Sequence, residues 1–461
     1  MAGQLAKRQE KNASAGSQLT EGVIWKQLLL FFFPILFGTF FQQLYNTTDA
    51  IIVGNFVGKE ALAAVGGPAA MIINLLVGFF VGLSSGAGVV ISQYYGSGDH
   101  ERLDHAVHTS IALSIIGGAV MMLLGIVTAP AALRAMQTPD DILDSSIVYM
   151  RIYFLGMIPS MLYNMGSAIL RAVGDSKRPL YFLIASCGVN IVLDLIFVAG
   201  LKLGVAGVGI ATALSQVVSA SMTLFVLLRT KEVYRLVLKK IRIQKHLLRN
   251  ILEIGFPAGL QSSMYSISNI IIQTAINGFG TDTVAAWTAY GKLDSIFWMI
   301  MSAYGISITT FAGQNFGAGK LDRVRKSVRV CLGLSAGTSL LFSFLVVHFG
   351  STILLLFTHD QQVIDICMHM IWIVSPAYIT YICIEVLSGA CRGCGDALIP
   401  MLLTCFGVCV LRIVWIFIAV PLRPAISTIV FSYPLTWIVT SIMFIYYYRK
   451  GKWMSRAYLS R

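Results

Sequence analysis

Twelve apolar segments constrain this chain more than any other feature. They lie near residues 24–54, 61–95, 106–131, 142–168, 179–200, 204–228, 250–277, 283–315, 328–357, 363–389, 398–421 and 425–448. About 20 apolar residues wound as a helix cross a bilayer core roughly 30 Å thick. Within lipid an unpaired backbone group costs several kcal/mol, so each segment must satisfy its own peptide groups as a helix. The predicted fold class is therefore all-α and polytopic, with 12 transmembrane helices. The second and eighth segments are long and glycine-interrupted, which predicts a bend or an extension in each. Composition agrees, with 56% hydrophobic and only 12% charged residues, where soluble proteins carry roughly 25% charge.

The formal net charge of +13 would point to nucleic acid in a soluble protein. Here the basic residues sort by side instead. The tail 1–20 (with Lys7, Arg8 and Lys11) and Lys26, the loops near 96–105, 171–178, 229–249, 320–329 and 392, and the tail 449–461 hold 27 of the 34 lysines and arginines. The alternate loops hold Lys59, Arg134, Lys202 and Arg423. The positive-inside rule then predicts a multi-pass protein of the cell membrane with both termini cytoplasmic. The N-terminus is too polar for a secretory signal. The stretch 229–249 has eight basic residues and one acid and reads as a basic cytoplasmic linker, an amphipathic helix on the anionic inner leaflet.

That linker sits at the middle of a duplication. Phe33-Pro34 recurs as Phe256-Pro257, and Val57-Gly58 with Ala63-Ala64 as Phe279-Gly280 with Ala285-Ala286. Gln93, Gly96 and Gly98 recur as Gln314, Gly317 and Gly319. Arg171, Gly174, Asp175 and Pro179 recur as Arg392, Gly395, Asp396 and Pro400. Six spans per unit make the repeats parallel and predict two six-helix bundles around a central cleft, rocking to give alternating access. The expected layout is an N-lobe at 21–228, the linker 229–249 and a C-lobe at 250–448.

Acids inside a membrane cost roughly 2.5 kcal/mol or more at a helix centre, so Asp49, Asp194, Asp294 and Glu385 each need a reason. Counting at 1.5 Å per residue from Lys59 and Lys202 puts Asp49 and Asp194 roughly 12–15 Å below the same boundary, and Thr212 reaches that depth from the next helix. Asn190 lies one turn from Asp194, Tyr45 one turn from Asp49, and Gln42 one turn further. Two carboxylates in a low dielectric resist double ionisation, as a proton site requires, and an oxygen-only donor set also suits sodium. Pro34 lies fifteen residues before Asp49 and removes one helical hydrogen bond. Protonation of Asp49 is expected to bend the first helix there. In the second half, Asp294 and Arg412 match in depth and predict a buried ion pair with Lys292 near, while Glu385 lies close to the inner face.

Other patterns carry nothing. Gly313 to Lys320 is a residue too long for a phosphate loop, and Leu321 replaces its Ser/Thr. Cys391 and Cys394 form a CxxC with no second pair, and Cys331, Cys383, Cys405 and Cys409 read as small hydrophobes. No catalytic set appears, so no enzyme, cofactor or nucleic-acid partner is expected. The expected partners are small-molecule substrates and membrane lipid, and the expected state is a monomer.

Residues 20–450 resemble the multidrug and toxic compound extrusion (MATE) family. The resemblance rests on Thr48 to Gly54, Gln93 to Gly96, Leu170 to Asp175, Asn190 to Asp194 and Gly313 to Lys320. It implies an antiporter that exports amphipathic, often cationic, drugs against an inward flux of protons or sodium. It also implies Asp49, Asn190, Asp194 and Thr212 as the N-lobe cation site, Tyr45 beside them and Pro34 as the bend. The acids that the sodium-coupled branch carries in the C-lobe are replaced here by Tyr265 and Tyr381, which would line the cavity and leave coupling to the N-lobe. The alternative is a flippase for lipid-linked oligosaccharide precursors, whose cavity should be rich in Arg and Lys to hold pyrophosphate.

Overall fold

The computed structural model describes residues 19–454. The expected tail 1–20 with Lys7, Arg8 and Lys11 falls outside these residues almost entirely, as does the end of the tail 449–461. Among the described residues all regular structure is helical.

The first half begins with α1 (Ile24–Phe56), followed by α2 (Lys59–Gly66), α3 (Pro68–Ser97) and α4 (His100–Ala135). Next come α5 (Asp140–Leu155), α6 (Met157–Ala172), α7 (Lys177–Asp194) with a π-helical turn Leu195–Gly200, and α8 (Gly204–Arg229). The second half contains α9 (Lys245–Asn277), α10 (Thr281–Gly317), α11 (Leu321–Leu354), α12 (Gln361–Val374) and α13 (Tyr378–Gly393). It ends with α14 (Leu398–Thr404), a π turn Cys405–Val410, α15 (Leu411–Leu422), α16 (Ile426–Val430) and α17 (Ser432–Lys450). Ten of these helices, taken with their continuations, are long and apolar enough to cross a membrane, and α5 with α6, bent by 49°, makes an eleventh span. The seventh expected span is α9, as long as α1 at 33 residues but more polar, with Gln261, Ser262, Ser263, Ser266, Ser268 and Asn269 along its middle. The chain is thus an all-α polytopic membrane protein.

The duplication is written into the backbone. Gly98 (φ 72) and Gly319 (φ 71) both end a helix in the left-handed region, as do Gly174 (φ 96) and Gly395 (φ 94). Only glycine enters that region without strain. The fourth expected span of each half is also broken at an equivalent place. Gly156 separates α5 from α6, and a 3-10 turn Ser375–Ala377 separates α12 from α13. Pro159 and Pro376 lie at these breaks, where a missing amide and a fixed φ interrupt the helical ladder. The second segment breaks at Gly67-Pro68, and the eighth takes the other expected course, running unbroken for 37 residues as α10. Its Gly305 is taken up by close packing, where a side chain would collide with Glu385.

Two compact units emerge. One comprises Phe33–Gly259, the other the chain up to Phe32 together with the chain from Leu260 onward. The divisions fall beside Pro34 and Pro257 and not within the basic linker. In the first unit the start of α9 lies backbone to backbone on α3, where a Cβ at Gly86 would strike Gly255 and one at Gly82 would strike Gly259. In the second unit the chain before α1 is gripped by the turn between α10 and α11. Asn315 Nδ2 donates to Leu19 O (3.0 Å), Lys320 Nζ to Thr20 O (3.0 Å), and Arg323 to Glu21 O (2.7 Å) and Gly22 O (2.9 Å). The stretch discarded as a phosphate loop is thus an anchor for the chain's start.

The linker corrects an expectation. Apart from one 3-10 turn at Leu238–Lys240, residues 230–244 are not helical. Their backbone bonds outward to α4: Val237 N donates to His108 Nε2 (2.9 Å), and Gln244 N to Thr109 Oγ1 (3.3 Å). Tyr234 and Leu236 are buried while Val233 and Leu238 are exposed, the alternation of an extended segment. This side-to-side pattern wins over the basic composition that suggested a surface helix.

Candidate functional site

The first unit brings the expected oxygen donors together. Helices α7 and α8 pack against each other. Asn190 and Asp194, one turn apart on α7, are fully buried, as are Ser215 and all but 2% of Thr212 on α8. Asp49 on α1 is 6% exposed. Its Oδ2 accepts from Thr212 Oγ1 at 3.4 Å. The carboxyl groups of Asp49 and Asp194 face each other and Asn190 adjoins Asp49. Several buried atoms have no hydrogen-bond partner within 3.5 Å: Asp49 Oδ1, both Asp194 oxygens and both polar atoms of the Asn190 amide. Among the described residues no Lys or Arg pairs with either acid, and no cluster of three His, Cys, Asp or Glu forms a transition-metal cage.

Tyr45 joins through a residue that sequence reasoning missed. Its hydroxyl lies 3.4 Å from Ser215 Oγ, which donates to Thr212 O at 2.8 Å. Ser186 Oγ in turn donates to Ser215 O at 2.7 Å, tying α7 to α8. The signal was available, because Ser215 follows Thr212 by three positions and Ser186 precedes Asn190 by four, so each shares its partner's face. Tyr149 and Tyr153 on α5 complete the surroundings of the acids. Gln42 is exposed and stands apart from this group. Pro34 sits inside α1 without ending it.

The second unit does not form the expected ion pair. Asp294 on α10 is held by three neutral donors: Tyr378 OH (2.6 Å), Trp298 Nε1 (2.6 Å) and Tyr290 OH (3.2 Å). Arg412, 2% exposed, donates to Thr436 Oγ1 (3.0 Å) and lies over the Tyr433 ring at 4.0 Å. Lys292 is exposed. Equal depth fixed height but not direction around the helix axis, and a nest of Phe297, Trp298, Tyr378, Tyr381 and Trp437 satisfies the acid without a cation. Tyr381 OH donates to Glu385 Oε2 (3.0 Å), while the buried Tyr265 hydroxyl has no partner within 3.5 Å. Glu385, half-buried, lies against Gly305 of α10.

Known proteins bear on this arrangement. The MatE family model matches residues 34–196 and again 257–418, once per repeat. The probable multidrug resistance protein YoeA of Bacillus subtilis is 29% identical over 84% of this chain and 84% of its own length. YpnP of the same organism, also a probable multidrug resistance protein, is 28% identical over 94% of this chain and 97% of its own. A solved outward-facing multidrug resistance MATE family transporter of the MOP superfamily superposes with a TM-score of 0.89, covering 96% of this chain and 99% of the other at 23% identity. With two matches that together span most of the sequence, the chain belongs to the MATE family of transporters.

Proposed function

We propose that this protein is a secondary antiporter that exports amphipathic, mostly cationic, drugs or toxic metabolites from the cytoplasm by alternating access. Inward flux of a proton or sodium ion through Asp49, Asn190, Asp194 and Thr212 drives it. The observation that carries this reading is the pair of buried carboxylates, Asp49 and Asp194, with open oxygen valences and no cationic side chain. Two like charges so placed repel strongly in a low dielectric, and a single small cation relieves the repulsion. Because Asp49 lies on α1 after Pro34, a change in its partners is transmitted to a helix that lacks one backbone hydrogen bond. The relatives' names, probable multidrug resistance proteins, support drugs as cargo. The loop charges support both termini on the cytoplasmic side of the cell membrane.

The flippase alternative asks for basic side chains presented to a diphosphate, but Arg412 is closed off by Tyr433 and Thr436. The deciding experiment is cationic dye efflux from proteoliposomes under a proton gradient and a sodium gradient imposed separately. Efflux driven by either gradient and lost in Asp49→Asn supports the reading. Efflux indifferent to both gradients, or intact in that variant, refutes it.

A further inference from the structure

The foot of α4 is covered where the rest of the same stripe is bare. At about 100° per residue, Ile116, Val120, Leu123 and Val127 lie within roughly 40° of the direction of Thr109, and all four are exposed. An unbroken aliphatic stripe on a spanning helix is the face that hydrocarbon accepts. Thr109, which begins the stripe, is fully buried. Its cover is the chain 230–244. Thr109 Oγ1 donates to Arg242 O and accepts from Gln244 N, both at 3.3 Å. One position earlier, His108 Nε2 accepts from Val237 N (2.9 Å). The segment therefore passes along the lipid side of α4, within the same compact unit. It crosses three residues (109 − 106) into the apolar run that starts near 106, where headgroups give way to acyl chains.

The outward side of the segment has the chemistry of that boundary. At the 3-10 turn Leu238–Lys240, Leu238 stands 64% exposed, and Ile243 is exposed as well. Lys239, Lys240, Arg242 and Lys245 are exposed between and beside them. From 233 to 252 the chain has six lysines and arginines and no acid. Two of the six are paired, Lys240 with Asp104 (3.1 Å) and Arg249 with Glu253 (2.7 Å). Lys239, Arg242 and Lys245 enter no ion pair among the described residues. Beside a bilayer, aliphatic side chains bury among acyl chains while neighbouring cations meet the phosphates.

We propose that residues 238–245 bind anionic phospholipids, with Leu238 and Ile243 seated among the acyl chains and Lys239, Arg242 and Lys245 on the headgroup phosphates. The ligand is a phosphodiester carried by a lipid and not a free anion, because the aliphatic pair adds to the attraction only where acyl chains are present. Each cation close to an anionic bilayer surface strengthens the attachment about fivefold. Anionic lipid then clamps the segment between α8 and α9 onto α4 from its outer side. The proposal depends on neither the cargo nor the driving ion.

The first test reads depth. Nitroxide labels on L238C and I243C, in nanodiscs of phosphatidylcholine mixed with phosphatidylglycerol, should collide with oxygen in preference to a water-soluble nickel chelate. Their oxygen-to-nickel ratio should exceed that of E101C about threefold or more. Glu101 is exposed and lies eight residues (109 − 101) before Thr109, about 12 Å further out along α4. The eight native cysteines are buried or half-buried, and labelling of the unmutated protein sets the background. Labels at 238 and 243 that favour the nickel chelate overturn the proposal, because the segment would then face water. The second test reads charge. Backbone amides of 237–245 should exchange about fivefold or more slowly in nanodiscs containing phosphatidylglycerol than in phosphatidylcholine alone. The triple variant K239Q/R242Q/K245Q should lose that difference, and K239R/K245R should keep it. Equal protection in both lipids, a difference that survives in the triple variant, or the same protection from inorganic phosphate overturns the proposal. The depth measurement uses none of the charge variants, so it decides even where the triple variant fails to fold.

Discussion

Thr212 Oγ1 stands 3.4 Å from Asp49 Oδ2, a link between α8 and α1 across 163 positions and the one hydroxyl among the described residues that bonds to the acid. Replacing Asp49 by Asn should abolish gradient-driven efflux with expression intact, because the amide has nearly the shape of the carboxylate but binds neither a proton nor a cation there. Thr212→Ala removes a single long hydrogen bond worth about 1 kcal/mol. Its half-saturating driving-ion concentration should rise only about fivefold. Flux titrations of the two variants in vesicles test this ranking, and a Thr212→Ala defect as deep as that of Asp49→Asn would contradict it.

Asp194 accepts no hydrogen bond from an N–H or O–H donor among the described residues and faces the Asp49 carboxyl, so two like charges meet there unless a proton or a cation lies between them. Asp194→Asn relieves the repulsion permanently. The variant should melt at a higher temperature than the unmutated protein in detergent and transport poorly, and the driving ion should no longer raise its melting temperature. A melting temperature that still rises with the ion would place ion binding elsewhere.

The aromatic nest around Asp294 makes a different demand. Tyr378 is fully buried, donates to Asp294 at 2.6 Å and stacks on Phe297 with centroids 3.9 Å apart. Tyr378→Phe keeps the ring and deletes the donor, so it should cost about 1.5–3 kcal/mol as a hydrogen bond to a charged group. Asp294→Leu, which leaves the Trp298 indole unpaired and Tyr290 and Tyr378 only each other (3.2 Å), should cost more. Thermal unfolding of the two variants gives the order, and the reverse order would show that Asp294 is held by something other than these donors.

How much of this was legible beforehand depended on whether a single helix carried the signal. Span positions follow from hydropathy, and the repeat follows from glycines whose backbone angles recur, Gly98 with Gly319 and Gly174 with Gly395. The grouping of Asp49, Asn190, Asp194 and Thr212 was readable because each residue's depth could be counted from a nearby loop. Depth says nothing of azimuth. Asp294 and Arg412 were therefore paired on height, whereas the acid's donors come from Tyr378, 84 positions away, and from its own helix. Ser215 was overlooked although its spacing from Thr212 announced it. The linker's extended course depends on His108, more than a hundred positions earlier, and no local pattern carries that contact.

That linker yields a prediction of its own. His108 is 2% exposed. Its Nδ1 lies 2.6 Å from Asp104 O, and its Nε2 accepts from Val237 N at 2.9 Å, so the proton belongs on Nδ1. Replacing the ring with Phe keeps its bulk and leaves the Val237 amide without its acceptor, at a local cost of about 1–3 kcal/mol. The amide of Val237 should then exchange its hydrogen roughly 10- to 100-fold faster in His108→Phe, while amides of α7 and α8 keep their rates. The segment closes α8 onto the start of α9, so looser pinning should slow cargo turnover more than it weakens ion binding. Exchange measured across 230–244, alongside efflux rates for the same variant, checks both halves. Unchanged exchange at Val237 would mean that the neighbouring contacts, Gln244 N to Thr109 Oγ1 and Lys240 Nζ to Asp104 Oδ2 (3.1 Å), hold the linker without the histidine.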